Sequence, residues 1–328
     1  MGKPIAIKII CLLFQLLFFS CNAIIPRGQA HGIITTIAGN GNAGFSGDNT
    51  PGIIAQLNAP TDIKFDKFGN IYIADMNNCR IRKIDQSGNI ATIAGNGLEG
   101  CTGDGGYAID ARINHPDCVA INSEGEIFFS DFLGNVVRVI DKSGIIRTIA
   151  GTGAQGFSGD GGAAVDAQLN YPQGLACDKE GNLYIADNRN HRIRVVNTDG
   201  IISTIAGDGT PGWYGDDGPA ILAELNYPRD IFFDLIGRLY IADTFNHCIR
   251  MIDKNGVIST VAGRKGVSGY SGDHGPALSA KMDSPSGLAI DGDGNLYISD
   301  ITNQCIRRVD EDGIITTFAE ILSIVVDG

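Results

Sequence analysis

Acidic and basic side chains recur at a fixed spacing along this chain. An aspartate closes each of five strand-like runs, as in Leu-Tyr-Ile-Ala-Asp at 183–187, and an arginine follows seven residues later. The pairs are Asp75 and Arg82, Asp131 and Arg138, Asp187 and Arg194, Asp243 and Arg250, and Asp300 and Arg307. Carboxylates of this kind can serve as general acids or bases. Because the same pair occurs in every unit, we interpret it as an ion pair that joins two strands of a hairpin.

A second recurring set combines an aromatic residue with an aspartate three residues later. Its members are Phe45 and Asp48, Phe157 and Asp160, Trp213 and Asp216, and Tyr270 and Asp273, with Cys101 before Asp104 in the second unit. Such a ring could hold sugars or a cation. An asymmetric ligand rarely needs five equal contacts, however, and the favoured interpretation is that each aromatic fixes its own loop and each aspartate caps its own turn.

Two histidines share one repeat position. His191 and His247 stand where other units carry Cys79, Asn135 and Gln304. Imidazoles can ligate metals or transfer protons near neutral pH. The other histidines, His31, His115 and His274, are dispersed along the chain. We therefore interpret these two as solvated loop residues, assign no catalytic residues, and expect neither a metal ion nor a cofactor.

The elements that position these residues follow from a repeat of 56 residues. Glycines of an Ile/Val-Ala-Gly triplet lie at positions 39, 95, 151, 207 and 263, and a degenerate copy follows at 318–320. Each unit contains four strand-like runs separated by Asx-Gly turns and polar loops, which favour tight hairpins. Helical periodicity is absent. Four antiparallel strands repeated around an axis predict an all-β propeller.

The motif Asn-x-Pro-x-Gly/Asp-Leu/Ile-x-x-Asp-x-x-Gly-Asn-Leu-Tyr-Ile-Ala-Asp-x-x-Asn-x-Arg-Ile-Arg-x-Ile-Asp resembles the NHL repeat. Its copies lie at 58–85, 114–141, 170–197, 226–253 and 283–310. The longer unit is similar to that of bacterial exported proteins and of the teneurin propeller. The resemblance implies an NHL/TolB-like propeller over residues 32–320. It says less about function, because NHL propellers bind proteins or RNA and a minority of related propellers are lyases or lactonases.

The strand count leaves one strand over. Five units supply five four-stranded blades, and residues 33–38 add one extra N-terminal strand. The alternative is an incomplete six-bladed propeller. We expect the local hairpin to pair the run at 305–310 with the run at 314–318, because a short turn loses less chain entropy. The N-terminal strand should then lie against the outer edge of the fifth blade.

The N-terminus predicts export. Lys3 and Lys8 precede an apolar run at 9–19, which is too short to span a bilayer comfortably but fits a signal peptide. The run ends at Ser20-Cys21, which resembles a lipoprotein signal, with cleavage near Ala23 or Ala30 as the alternative. The predicted divisions are a signal at 1–21, a linker at 22–31 and a tail at 321–328. The protein would then be extracytoplasmic, either secreted or held at the cell envelope by a lipid on Cys21.

Lipidation at Cys21 has a direct test. Metabolic labelling with a fatty-acid analogue should mark the wild-type protein and not the Cys21→Ala variant. Equal labelling of both proteins, or of neither, would contradict the prediction.

Composition narrows the partners. The formal net charge of −12 argues against a nucleic-acid partner, since proteins that bind nucleic acid concentrate Lys and Arg on one face.

The cysteines give no sign of a metal or redox motif. Six cysteines besides Cys11 and Cys21 form no CxxC pair. Cys177 stands where other units carry Phe or Ile, so it is interpreted as a small core residue. The chain is expected to be a monomer.

The predicted ligand-binding residues break the repeat on one face. Connectivity places the insert between blades and the loop between the second and third strands on the same face. Exposed aromatics among polar loops are frequent binding anchors. The predicted set is Phe132, Leu133, Arg189, Trp213, Tyr214, Phe245 and His274. The function predicted is a non-catalytic exported scaffold that binds a protein or glycan through this face. The alternative is a metal-dependent lactonase or lyase of the propeller type.

Overall fold

A computed structural model of the protein describes residues 34–320. The predicted signal, the predicted acylation site at Cys21 and residues 321–328 lie outside the described residues. Within the described part, the chain forms five antiparallel sheets, each with four main strands in sequence order, so the predicted five-bladed propeller is confirmed. None of the helices in this part has the length and apolar character that crossing a membrane requires.

The strands of the five blades follow the repeat. The inner strands are Pro60–Phe65, Pro116–Ile121, Pro172–Cys177, Pro228–Phe233 and Pro285–Ile290. The second strands are Ile71–Asp75, Ile127–Asp131, Leu183–Asp187, Leu239–Asp243 and Leu296–Asp300. The third strands are Arg80–Ile84, Val136–Ile140, Arg192–Val196, Cys248–Ile252 and Cys305–Val309. The fourth strands are Asn89–Ala94, Ile146–Ala150, Ile202–Ala206, Val257–Ala262 and Ile314–Glu320.

Short elements complete the blades at their outer edges and loops. Two-residue strands pair with the fourth strands of blades 1, 4 and 5, at Thr50–Pro51, Gly218–Pro219 and Gly275–Pro276. Each insert holds one turn of 3-10 helix, at Gly52–Ile54, Ala108–Asp110, Ala164–Asp166, Ala220–Leu222 and Ala277–Ser279. Four loops between second and third strands hold another, at Met76–Asn78, Phe132–Gly134, Asn188–Asn190 and Thr244–Asn246.

The two kinds of connection separate the two faces of the propeller. In blade 3 the hairpin turn after the third strand is held by Asn197, whose Oδ1 accepts hydrogen bonds from the backbone of Asp199 at 3.0 Å and Ile201 at 2.9 Å. At the opposite end, Asn190 Nδ2 donates to the carbonyl of Gly156 in the insert, at 2.7 Å. The insert and the loop between the second and third strands therefore share one face, as the connectivity predicts.

The core lies between consecutive blades. Apolar clusters join blade 1 to 2, 2 to 3, 3 to 4 and 4 to 5, and the second of them packs Val137 and Val139 of blade 2 against Leu175 and Ile185 of blade 3. Half-buried Cys177 packs against the same cluster, as its repeat position predicts. The six cysteines in the described residues are all free. Burying alternate apolar side chains in this way is the main stabilising contribution of a repeat fold.

The N-terminal segment lies somewhere other than predicted. The backbone N–H of Gly39 donates to the carbonyl of Gly52 at 3.0 Å, and Ala38 packs against the apolar cluster of blade 1. In the other units, the fourth strand of one blade runs into the insert that follows it. Residues 34–38 occupy the same position before the first insert, but they form no ladder with the described strands. The placement at the outer edge of blade 5 is wrong, because Gly275–Pro276 pairs there. The local pairing of Cys305–Val309 with Ile314–Glu320 is confirmed.

Candidate binding face

The recurring Asp–Arg pairs are part of the architecture. Asp187 and Arg194 are fully buried, and their side chains approach to 3.2 Å. Asp187 also accepts hydrogen bonds from the backbone of Asn170 and the side chain of Asn190, both at 2.8 Å. Burial raises the pKa of Asp187 to about 6, against the lowering effect of these hydrogen bonds and of Arg194. The equivalent distances are 3.3 Å in blade 1, 3.8 Å in blade 2, 3.5 Å in blade 4 and 3.6 Å in blade 5.

The aspartates of the inserts form ion pairs with the arginines of the recurring Asp–Arg pairs. Asp160 Oδ1 lies 2.6 Å from Arg194 Nη2, and its other oxygen accepts a hydrogen bond from Thr204 at 2.7 Å. The ring of Phe157 lies under the guanidinium of Arg192 at 3.8 Å. The repeated insert residues therefore fix the loops, and the aspartates do so by bridging to the blade core instead of capping their own turns.

The shared histidine position is a contact between neighbouring blades. Nδ1 of His191 accepts a hydrogen bond from the backbone of Tyr227 at 3.2 Å, and the two rings meet edge to face at 4.7 Å. In the preceding blade, Asn135 Oδ1 accepts the equivalent bond from Tyr171 at 3.1 Å. The histidine is half-buried and packed, so the interpretation as a solvated loop residue is wrong. Burial lowers the pKa of His191, with a smaller effect from Arg192.

We expect His191→Asn to reduce the loss of stability in acid. Because the pKa of His191 is lower in the folded state than its unfolded value of about 6.5, the unfolded chain binds a proton that the folded chain does not. Stability is therefore lost as pH falls through that value. Urea unfolding at pH 7.5 and 5.5 should show a smaller decrease for the variant, which keeps an acceptor as in Asn135. An identical decrease in both proteins would contradict this role.

Four of the predicted residues lie beside the starts of the inner strands on the insert face, where their backbone N–H groups donate to residues just before those strands. Phe132 contacts the ring of Tyr171 at 4.7 Å, and the guanidinium of Arg189 lies over the same ring at 4.0 Å. Exposed Phe245 contacts Tyr227 at 4.8 Å. Arg189 and His191 belong to one loop and link the two groups. We call this set, together with exposed Leu133, the aromatic arc; its members are Phe132, Leu133, Tyr171, Arg189, His191, Tyr227 and Phe245.

A polar cavity lies at the axis, among the starts of the inner strands. It has a volume of about 20 Å³, which is room for about one water molecule. Asp117 is buried beside it, and both its Oδ1 and the Oγ of Ser286 have no hydrogen-bond partner in residues 34–320. Burial raises the pKa of Asp117 to about 6, although the charge of Arg229 acts in the opposite direction. Sequence reasoning missed this cavity.

The missed residues do have a signal in the sequence. Each inner strand begins with Pro, and the residue directly after this Pro differs in every unit. The residue directly before the Pro is Tyr in only two units. The first set is Thr61, Asp117, Gln173, Arg229 and Ser286. A repeat that varies at one inward position presents an asymmetric surface there, which is what a specific ligand requires.

The remaining predicted residues lie apart from the aromatic arc. Trp213 and Tyr214 stack at 6.2 Å on the insert of blade 4, where Trp213 lines a groove of about 490 Å³. His274 is exposed in the insert of blade 5, where its backbone N–H donates to Ile315 at 2.8 Å. Its left-handed conformation matches that of Asn49 in the insert of blade 1, which marks it as a turn residue. The predicted set is therefore two clusters and one separate side chain.

No group of three or more His, Cys, Asp or Glu side chains in the described residues is arranged to hold a metal ion.

Comparisons with known proteins agree with this architecture. A family model described as the teneurin NHL domain matches residues 97–158, 152–211, 210–271 and 267–325. Human teneurin-4 is 32% identical over 282 residues, which cover 74% of this chain and 10% of that protein. Mouse teneurin-1 is 30% identical over 282 residues, with the same two coverages. The chain thus spans about a tenth of the length of the teneurins that it matches.

Solved structures with the same fold have different activities in their names. Virginiamycin B lyase from Staphylococcus aureus superposes with a TM-score of 0.53 at 19% identity, over 81% of this chain and 71% of that one. An auxiliary nutrient binding protein from Bacteroides ovatus superposes with a TM-score of 0.59 at 17% identity, over 80% and 60%. At these identities the similarity shows the fold alone. The family match shows more: this five-bladed propeller belongs to the teneurin NHL domain family.

Proposed function

We propose that this protein is an exported, non-catalytic propeller that binds a protein or glycan ligand at the centre of its insert-bearing face. The observation that carries the proposal is the aromatic arc. Its rings form two groups, one between blades 2 and 3 and one between blades 3 and 4, and Arg189 and Phe245 remain exposed. The axial cavity lies at the start of the inner strands, and its lining includes Gly174, three residues after Tyr171, and Arg229, two residues after Tyr227. Aromatic anchors beside unpaired polar groups are the usual composition of a binding site.

The comparisons support, in general terms, a location outside the cytoplasm and a role in ligand binding. Teneurins are the relatives that share the repeat, and one structural neighbour is named as a nutrient binding protein. Export of this chain rests on the predicted signal before residue 22. Together these observations favour a surface that meets ligands outside the cytoplasm.

A double variant tests the proposal. Arg189→Ala with Phe245→Ala removes two exposed members of the aromatic arc, while Phe68→Ala with Leu235→Ala removes two exposed apolar residues from turns on the opposite face. The wild type and both variants would be applied to a glycan array and to pull-downs from the native envelope. Because truncating anchors of this type typically weakens binding by about tenfold or more, the first variant should lose the ligand and the second should keep it.

The ligand that the wild type captures is then used to compare the three proteins. Its dissociation constant would be measured with all three purified proteins. Equal affinities for the wild type and the arc variant would exclude the aromatic arc as the binding site. Loss of affinity in the opposite-face variant alone would move the site to the other face.

A lyase or lactonase is the second candidate function, and Asp117 is the observation that favours it. Its carboxyl has an unpartnered oxygen and a pKa raised to about 6, which suits a proton-transfer group near neutral pH. One structural neighbour is named as a lyase. Metal analysis of purified protein, and turnover of lactones and of virginiamycin B with and without divalent metal ions, would separate the two functions. Turnover that Asp117→Asn abolishes would favour the enzyme.

A further inference from the structure

The insert of blade 4 departs from the repeat where its aromatic residue lies. In blade 3 the ring of Phe157 is covered by Arg192 at 3.8 Å. The equivalent of Arg192 in blade 4 is Cys248, which has no cationic group. Trp213 therefore lacks the guanidinium that covers Phe157, and its indole lines the groove.

The loop that follows holds the indole in place. The chain has one extra residue between Gly263 and Asp273. In this loop Arg264 and Lys265 line the groove, and Gly266 lies against Trp213. Gly266 donates its backbone N–H to the carbonyl of Asn246 at 2.8 Å. A Cβ at Gly266 would lie 3.1 Å from a ring carbon of Trp213, so the indole rests against this backbone. One edge of the aromatic platform is thereby fixed before any ligand binds.

Among the described residues, one of the cations beside the indole has no carboxylate partner. Asp216 lies between two cations, with Lys265 Nζ at 2.6 Å from one oxygen and Arg250 Nη2 at 2.7 Å from the other. Partial burial acts to raise the pKa of Asp216, but the hydrogen bond from Lys265 and the charge of Arg250 outweigh it, so the pKa is lowered. Exposed Arg264 forms no ion pair within the described residues. The groove thus presents the guanidinium of Arg264 beside the partly exposed indole of Trp213, in a protein whose net charge is −12.

We propose that this groove, lined by Trp213, Ser259, Thr260, Arg264 and Lys265, binds a glycan that contains a uronic acid. The C–H face of a pyranose ring fits the open face of an indole, and a guanidinium binds a carboxylate by charge-assisted hydrogen bonds. An acidic peptide that adds a strand is less well suited, because Val257 and Ile258 at this sheet edge already pair with Gly218–Pro219. The inference rests on the proposed function only in assigning ligand binding to the insert-bearing face.

Calorimetric titration with tetragalacturonic acid tests the site on the full-length protein. Trp213→Ala and Arg264→Gln should each weaken binding by about tenfold or more. The methyl-esterified tetramer should bind the wild type more weakly than the acid does, and Arg264→Gln should remove that difference. Lys254→Gln is the matched control, since it removes a positive charge from an exposed turn of the same blade and should bind like the wild type.

Three results would overturn the inference. These are no binding of tetragalacturonic acid by the wild type, equal binding by Trp213→Ala, or equal competition by a poly-glutamate peptide, which would indicate an acidic peptide site. The variant of Arg189 and Phe245 keeps the groove intact and should bind the tetramer normally. Failure of the groove and failure of the aromatic arc are therefore measured separately.

Discussion

Replacing Asp187 by alanine is expected to lower the free energy of unfolding by about 3–5 kcal/mol, because it leaves a buried arginine without its buried carboxylate. Arg194 would keep Asp160, at 2.6 Å, and the carbonyls of Ser158, at 3.1 Å, and Gln168, at 3.5 Å. The backbone N–H of Asn170 would lose its acceptor as well. Urea unfolding at pH 7.5 measures the effect directly from the midpoint and slope of the transition.

The control for this prediction lies in the same blade. Asp199 is exposed in the turn between the third and fourth strands, so Asp199→Ala should change stability by less than about 0.5 kcal/mol. Asp187→Asn keeps the shape and one acceptor oxygen, and its loss should fall between the two. An Asp187→Ala variant that unfolds like the wild type but no longer binds its ligand would make the residue part of a site instead.

The blade structure could be predicted from sequence because each unit repeats the same local signals. Five copies of the turn chemistry, the alternating strands and the Asp–Arg pair all favour one arrangement. The position of residues 34–38 could not be predicted in the same way. Their alternation indicates an outer strand, but it does not say which blade they join. The backbone of Gly52 and the apolar cluster around Ile84 and Ile90 determine that, and these are long-range contacts.

The candidate sites were predictable only where a residue breaks the repeat conspicuously. Leu133, Arg189 and Phe245 stand out because the other two units carry Asn77 and Thr302 at this position. Tyr171 and Tyr227 were missed because their role depends on which side chains meet across blade boundaries. Asp117 was missed for the same reason, since its environment is made by the starts of other inner strands. Sequence periodicity gives the face of a residue, whereas its neighbours across the axis follow from how the inner strands of several blades meet there.

At Gly174 the inner strands of blades 3 and 4 lie so close together that no side chain fits. A Cβ at this position would lie 2.6 Å from the Cα of Asp230 and 2.7 Å from the carbonyl oxygen of Arg229. Both contacts are to the backbone of blade 4, which cannot rotate away as a flexible side chain can. The equivalent positions in blades 1 and 4 are Asp62 and Asp230, whose carboxylates accept hydrogen bonds from the next inner strand at 3.0 and 2.8 Å. The repeat therefore has room for a side chain at this position in blades 1 and 4, but not in blade 3, where the strand packs on blade 4.

Gly174→Ala is accordingly expected to destabilise the propeller by about 3 kcal/mol, at the upper end of the usual cost of overpacking. The clash alone accounts for this, since Gly174 does not have a left-handed backbone and alanine suits its extended conformation. Gly292→Ala is the matched control, because a Cβ there would meet no atom within 4 Å and the backbone of Gly292 is not left-handed either; its stability should stay within about 0.5 kcal/mol of the wild type. Urea unfolding monitored by tyrosine and tryptophan fluorescence would report both variants. If Gly174→Ala is as stable as the control, blades 3 and 4 can separate at the axis without cost, and the close approach does not help to hold the ring together.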